Sequence, residues 1–98
     1  MNETLILIGE EGFVTGPTGD LVPDRPRREV FVARKSVGAS YKLQALAVGL
    51  RPKYRFVLPD YLEYHGETLV EYAGDQYRVI DTYRGTDNTL ELTVEELP

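Results

Sequence analysis

One histidine, His65, lies between Glu63 and Glu67, and these three side chains have the best claim to proton transfer or metal binding. The claim is weak. The chain has no second histidine and no cysteine, so neither a zinc triad nor a His-based relay can be assembled. Placed just before Gly66, His65 reads as an exposed turn residue. The carboxylate pairs Glu10-Glu11 and Glu95-Glu96 are adjacent, so on a strand their side chains point to opposite faces, and they read as solubility features. Ser36 and Ser40 have neither a nucleophile elbow nor a neighbouring base. Gly12, Gly16 and Gly19 are irregularly spaced and far from any helix start, unlike a phosphate-cradling loop. The residue types predict no catalytic centre, no metal and no cofactor. What remains is contact chemistry. Seven tyrosines and no tryptophan favour surfaces that are apolar with a polar tip. Tyr61 and Tyr64, in an irregular segment, are candidates for a partner interface, whereas Tyr77 and Tyr83 read as core aromatics with hydroxyls at the rim.

The elements that must position these residues centre on 30–57. Two alternating runs, Val30–Lys35 and Lys53–Leu58, predict strands. The connection 36–52 between them is unusually apolar for a surface segment. Ser40 is placed to cap a short helix running to Val48, Gly49 and Leu50 to end it, and Pro52 to bar continuation. Leu43, Leu46, Ala47 and Leu50 recur at helical spacing. Such a short helix is not stable alone in water, so it either packs on the sheet, plugging one end of it, or is held by neighbouring subunits.

Before this core, Thr4–Ile8 predicts a strand apolar on both faces, buried in a barrel or against a partner. Residues 10–27, rich in Gly and Pro, predict a long loop with at most one short strand at Phe13–Thr15. After it, Leu69–Tyr72 and Gln76–Arg84 flank a hairpin turn marked by Gly74-Asp75. Thr89–Glu95 alternates most cleanly, with Leu90, Leu92 and Val94 inward. The whole predicts a mainly β chain: one domain over 1–98, a small antiparallel barrel of about six strands with one short helix or long loop between two central strands.

Ninety-eight residues bury a modest core, with net stability of about 5–10 kcal/mol, so association with neighbours matters more than usual. The absence of cysteine, of a signal-like N-terminus and of any long apolar run predicts a protein made in the cytoplasm and not set in a membrane. The net charge of −5 is unevenly spread. Residues 1–24 hold five acids and no Lys or Arg, residues 25–55 hold nine Lys and Arg against Glu29 alone, and residues 56–98 hold ten acids against Arg78 and Arg84. Two readings stay open: head-to-tail contacts between copies, in which Arg25, Arg27 and Arg28 meet a neighbour's acids, or opposite charges interleaved across adjacent strands of one subunit. The acidic total argues against a free-standing nucleic-acid binder.

Val30-Phe31-Val32-Ala33-Arg34-Lys35-Ser36-Val37-Gly38, followed by Ser40-Tyr41, Gln44-Ala45, Gly49-Leu50-Arg51-Pro52, Tyr54 and Phe56-Val57, resembles the head-closure proteins of long-tailed bacteriophages, also called head–tail joining, stopper or adaptor proteins. Tyr64-His65-Gly66-Glu67 is similar to the family's Y-x-G-E turn, and Tyr77-Arg78-Val79-Ile80-Asp81-Thr82-Tyr83 to its Y-R-V-I-R-T-Y strand. Leu90-Glu91-Leu92-Thr93 extends the likeness, which covers about residues 28–95. Asp81 departs from it, since a basic residue is common there.

The resemblance implies a structural virion protein of the neck, made in the bacterial host cytoplasm. It would form a cyclic ring of roughly a dozen copies below the portal and its adaptor, closing the DNA-filled capsid and offering the tail a docking surface. Its partners would be copies of itself, the portal-adaptor protein above, the tail-terminator and tail proteins below, and packaged duplex DNA contacted without sequence readout. The segment 36–52 would project into the channel as its gate: Ser36, Val37, Gly38 and Ser40 at its start, then Tyr41, Lys42, Leu43 and Gln44, then Leu46, Val48, Gly49 and Leu50. Lys42, Arg51 and Lys53 would face the DNA backbone. The competing expectations are a tail-completion or terminator ring, and a stand-alone barrel that binds another protein.

Overall fold

The computed structural model describes residues 2–98. Six strands close an antiparallel barrel: β1 (Glu3–Ile8), β4 (Arg27–Lys35), β5 (Pro52–Leu58), β8 (Leu90–Glu96), β7 (Asp75–Arg84) and β6 (Leu69–Tyr72), in that order around the wall. β2 (Gly12–Thr15) and β3 (Leu21–Asp24) form a separate two-stranded sheet, and α1 (Ala39–Ala47) joins β4 to β5. The mainly β barrel with one short helix is therefore the fold the alternation predicts.

Period-2 patterning builds the interior. Leu5 and Leu7 of β1, Val30 and Val32 of β4, Phe56 and Leu58 of β5, and Leu92 and Val94 of β8 all point inward, most with no exposure at all. Val70 of β6 and Tyr77 of β7 complete the ring. A barrel this narrow is filled by side chains alone. An aromatic group crowds one part of it: Tyr54, Phe56, Tyr72 and Tyr77 stack with ring centroids 4.9 to 5.9 Å apart in tilted and edge-on geometries.

The wall is uneven. The β1–β4 ladder runs the full length of β1, from Glu3↔Val32 to Ile8↔Arg27. The β4–β5 and β1–β6 seams are much shorter, limited to Ala33–Lys35 opposite Arg55–Val57 and to Ile6–Ile8 opposite Leu69–Glu71.

Several expectations need correction. Residues 10–27 are not one long loop: Gly12↔Asp24 to Thr15↔Leu21 pair as a hairpin, closed by Gly16 N donating to Asp20 O at 2.7 Å. Its strands were hidden because Gly16, Pro17 and Gly19 punctuate the turn and Pro23 interrupts the second arm. The β6–β7 turn is Ala73-Gly74 and not Gly74-Asp75, since Tyr72 pairs with Asp75. Tyr83 is exposed rather than part of the core. The ladder from β7 to β8 steps from Val79↔Val94 to Asp81↔Thr93, so Ile80 is an extra residue that reverses the alternation beyond it.

The helix also differs at its start. Gly38, not Ser40, is the N-cap, and no side chain caps the helix there. The predicted end holds. Gly49, at φ +84°, donates to Leu46 O, and Leu50 N donates to Ala45 O at 2.9 Å, a Schellman closure.

Ala73 and Gly74 both have positive φ, 52° and 86°, as a type I′ turn requires. Alanine resists that region, so Ala73→Asn should stabilise the protein by about 0.5–1 kcal/mol, read as a higher denaturant midpoint at unchanged slope. A lower midpoint would refute the turn assignment.

Candidate functional site: the helix end of the barrel

Helix α1 is held to the barrel by few contacts. Val37 and Ala45 are its anchors, each 7% exposed. Tyr41 Oη donates to Asp81 Oδ2 at 2.9 Å, and the Arg55 guanidinium lies 4.8 Å from the Tyr41 ring centroid. Burial, then the bond to Asp81, raises the Tyr41 phenol above its ordinary range. Asp81, the position where the resemblance fails, is thus the acceptor that ties α1 to β7.

The rest of the segment faces outward. Leu43, Leu46 and Val48 are 71%, 55% and 73% exposed. The apolar stripe read from the sequence does not pack on the sheet or plug the barrel, because Ala45 turns inward in its place. Ser36, Gly38, Ser40, Lys42, Gln44 and Gly49 are exposed as well, with Tyr41 and Leu50 half-buried. Of twelve candidate gate residues, only Val37 is buried.

The candidate DNA-facing cations separate into two kinds. Lys53 pairs with Glu96, which raises its amine above the ordinary value. Among the described residues Lys42 and Arg51 form no ion pair. They line an open cleft of about 570 Å³ with Gly49, Arg78 and Glu95. Glu95 is buried and organises the floor of this cleft: it accepts from Arg51 N at 2.9 Å and pairs with Arg78. The Arg51 amide first, then Arg78, hold its carboxyl below the usual range. It is therefore no solubility residue, as its place beside Glu96 suggested.

The candidate partner-interface residues are occupied within the chain. Arg27 pairs with Glu71 at 2.6 Å, Arg28 with Glu67 at 2.5 Å, and Arg25 Nε donates to Gly9 O at 3.1 Å. Lys35–Glu91 and Arg34–Glu3 extend the pattern, so much of the opposite charge is interleaved within the subunit, between the adjacent β4 and β1 or from β4 over one intervening strand to β6 and β8. Tyr61 and Tyr64 pack against the core. Arg84 lies 3.6 Å from the Tyr61 ring centroid. The Tyr64-His65-Gly66-Glu67 turn is a self-locking structure. Glu67, buried, accepts from His65 N and from Arg28; Tyr64 Oη donates to Glu67 O at 2.6 Å; and Gly66 supplies a φ of +85°. His65 is exposed, and Glu67 is turned to Arg28 rather than joined with it in a proton-transfer pair.

Sequence reasoning missed a second exposed apolar surface. Phe13, Val14, Leu21 and Val22 of the β2–β3 hairpin are 66%, 49%, 71% and 42% exposed. The signal was present in the apolar pairs Phe13-Val14 and Leu21-Val22, masked by the turn-forming residues between them.

Two outcomes follow. Glu95 has a folded-state pKa below its unfolded value of about 4.3, so its stabilisation is complete above that pH and lost as pH falls through the lower folded value. Melting of the unmodified protein should therefore drop on acidification below about pH 5, while Glu95→Gln melts lower at pH 7 and falls less steeply. Equal slopes would refute the assignment. Tyr41→Phe should cost about 0.5–1 kcal/mol and speed amide exchange in α1 selectively, with the barrel strands unchanged. The chain matches no protein-family model and no curated protein.

Proposed function

We propose that this chain is a structural protein of the neck of a long-tailed phage or integrated prophage. In that reading it assembles as a ring below the portal and adaptor, closes the filled capsid, and gives the tail a surface to dock on. One observation carries the proposal: a barrel complete in itself displays Leu43, Leu46 and Val48 on a lightly anchored helix, in the segment where the resemblance puts the channel element. A small domain has no reason of its own stability to leave these side chains in water, and exposed apolar patches mark contact surfaces.

The position of α1 supports the same reading. It is a self-terminated helix, closed at its C-terminal end by its own backbone, and its stripe can meet other copies without disturbing the core. The reading adds no enzyme activity, cofactor or metal. A tail-side terminator ring would use the same surface, and imaging of a neck particle with this polypeptide located in it separates the two.

Because the three side chains are exposed, Leu43→Ser, Leu46→Ser and Val48→Ser combined should leave the barrel folded, with melting changed by less than about 1 kcal/mol. Particles carrying the triple variant should package DNA and then lose it, measured as nuclease-sensitive DNA after packaging. Normal DNA retention by particles that contain the folded variant would overturn the gate role of this segment.

A further inference from the structure

The molecule carries two uncovered apolar surfaces, and they lie at opposite ends of one strand. β4 receives the β2–β3 hairpin at Arg27 and delivers α1 after Lys35. Nine residues of extended chain separate the two by about 30 Å. The hairpin cannot fold back onto α1 of its own chain.

Neither surface is self-sufficient. A two-stranded sheet is marginal in water without cover, yet no residue of this hairpin is buried. Its apolar side chains are Phe13, Val14, Leu21 and Val22. One face of α1 offers Leu43 and Leu46, with Val48 exposed at its C-cap.

Their charges are complementary. Residues 10–24 contain Glu10, Glu11, Asp20 and Asp24 and no Lys or Arg, and among the described residues none of the four forms an ion pair. At the other end Lys42 and Arg51 are equally unpaired. The remaining basic side chains are already engaged, by carboxylates or, for Arg25, Arg55 and Arg84, by a carbonyl or an aromatic ring. Free acid and free base thus sit at the two ends of β4, each beside uncovered apolar surface.

We propose that the β2–β3 hairpin of one copy docks on the α1 face of the next copy, through apolar contact bordered by its acids against Lys42 and Arg51. This is a heterologous contact, which propagates from copy to copy and closes into a ring where the rotation permits. It deepens the neck reading by naming the contact between successive subunits, and rests on that reading only for closure.

The absence of native cysteine makes the test direct. Leu21→Cys and Leu46→Cys variants of the full chain are each mixed, alone or together, with a short bismaleimide at rising protein concentration. The mixture should give a cross-linked dimer that neither variant forms alone, and added salt should reduce its yield. Lys42→Glu should weaken association about threefold, and Glu10→Lys with Glu11→Lys in the hairpin-bearing copy should recover the loss. Self-dimers of Leu46→Cys or of Leu21→Cys matching the mixture would overturn the proposal, because they mean that like surfaces pair with like. The Leu21→Cys, Leu46→Cys double variant is also cross-linked in assembled particles. Particles that hold the protein but give no inter-subunit product overturn this contact and leave the neck reading standing. A mixed dimer in solution, with the protein missing from the neck, keeps the contact and removes the neck reading.

Discussion

Closure of the hydrogen-bonded wall is the constraint on which everything else rests. Six strands that pair only in part, with two seams of three residue pairs each, have no stable open form, because opening either seam bares the side chains that fill the interior. Phe56 and Tyr77 lie where those side chains converge, and the aromatic contacts around them join β5 to β6 and β7 across the lumen of the barrel. With the wall complete, the outer residues are released from any duty to the core. The ion pairs of Arg27 with Glu71 of β6 and of Arg28 with Glu67, just before β6, then reach from β4 over the intervening β1 and fasten the wall from outside.

That division explains which parts were legible. The alternation of Leu90, Leu92 and Val94, or of Phe56 and Leu58, reports a local demand of the pleat, and the sequence states it directly. Gly49 and Leu50 were equally readable, since a left-handed residue followed by an apolar one ends helices by backbone chemistry alone. Ile80 was not, because a bulge is decided by how β7 registers on β8, a relation between distant segments. Tyr83 was misplaced for that reason. The hairpin was obscured by its own turn residues, and the role of Glu95 by the distance in sequence to Arg51 and Arg78.

For the segment 36–52, the sequence showed an apolar stripe and left open whether it packs on the sheet or faces outward. Helical spacing of Leu43 and Leu46 says that one face is apolar; it does not say that this face meets the barrel. Ala45 and Val37, small enough to sit close to the wall, took the inward positions instead. The charge blocks likewise had two solutions. The structure uses interleaving for most of the basic block and leaves two cations at one end unspent.

The nine residues of β4 have a mechanical consequence. Because the hairpin and α1 hang from its two ends, a pull between them is directed along this strand. Such a pull runs through the covalent backbone of β4 itself, and the β1–β4 ladder from Glu3↔Val32 to Ile8↔Arg27 holds that strand extended. Strands arranged this way act as a stiff tie-rod, and tension between neighbours would pass through the subunit with little stretch.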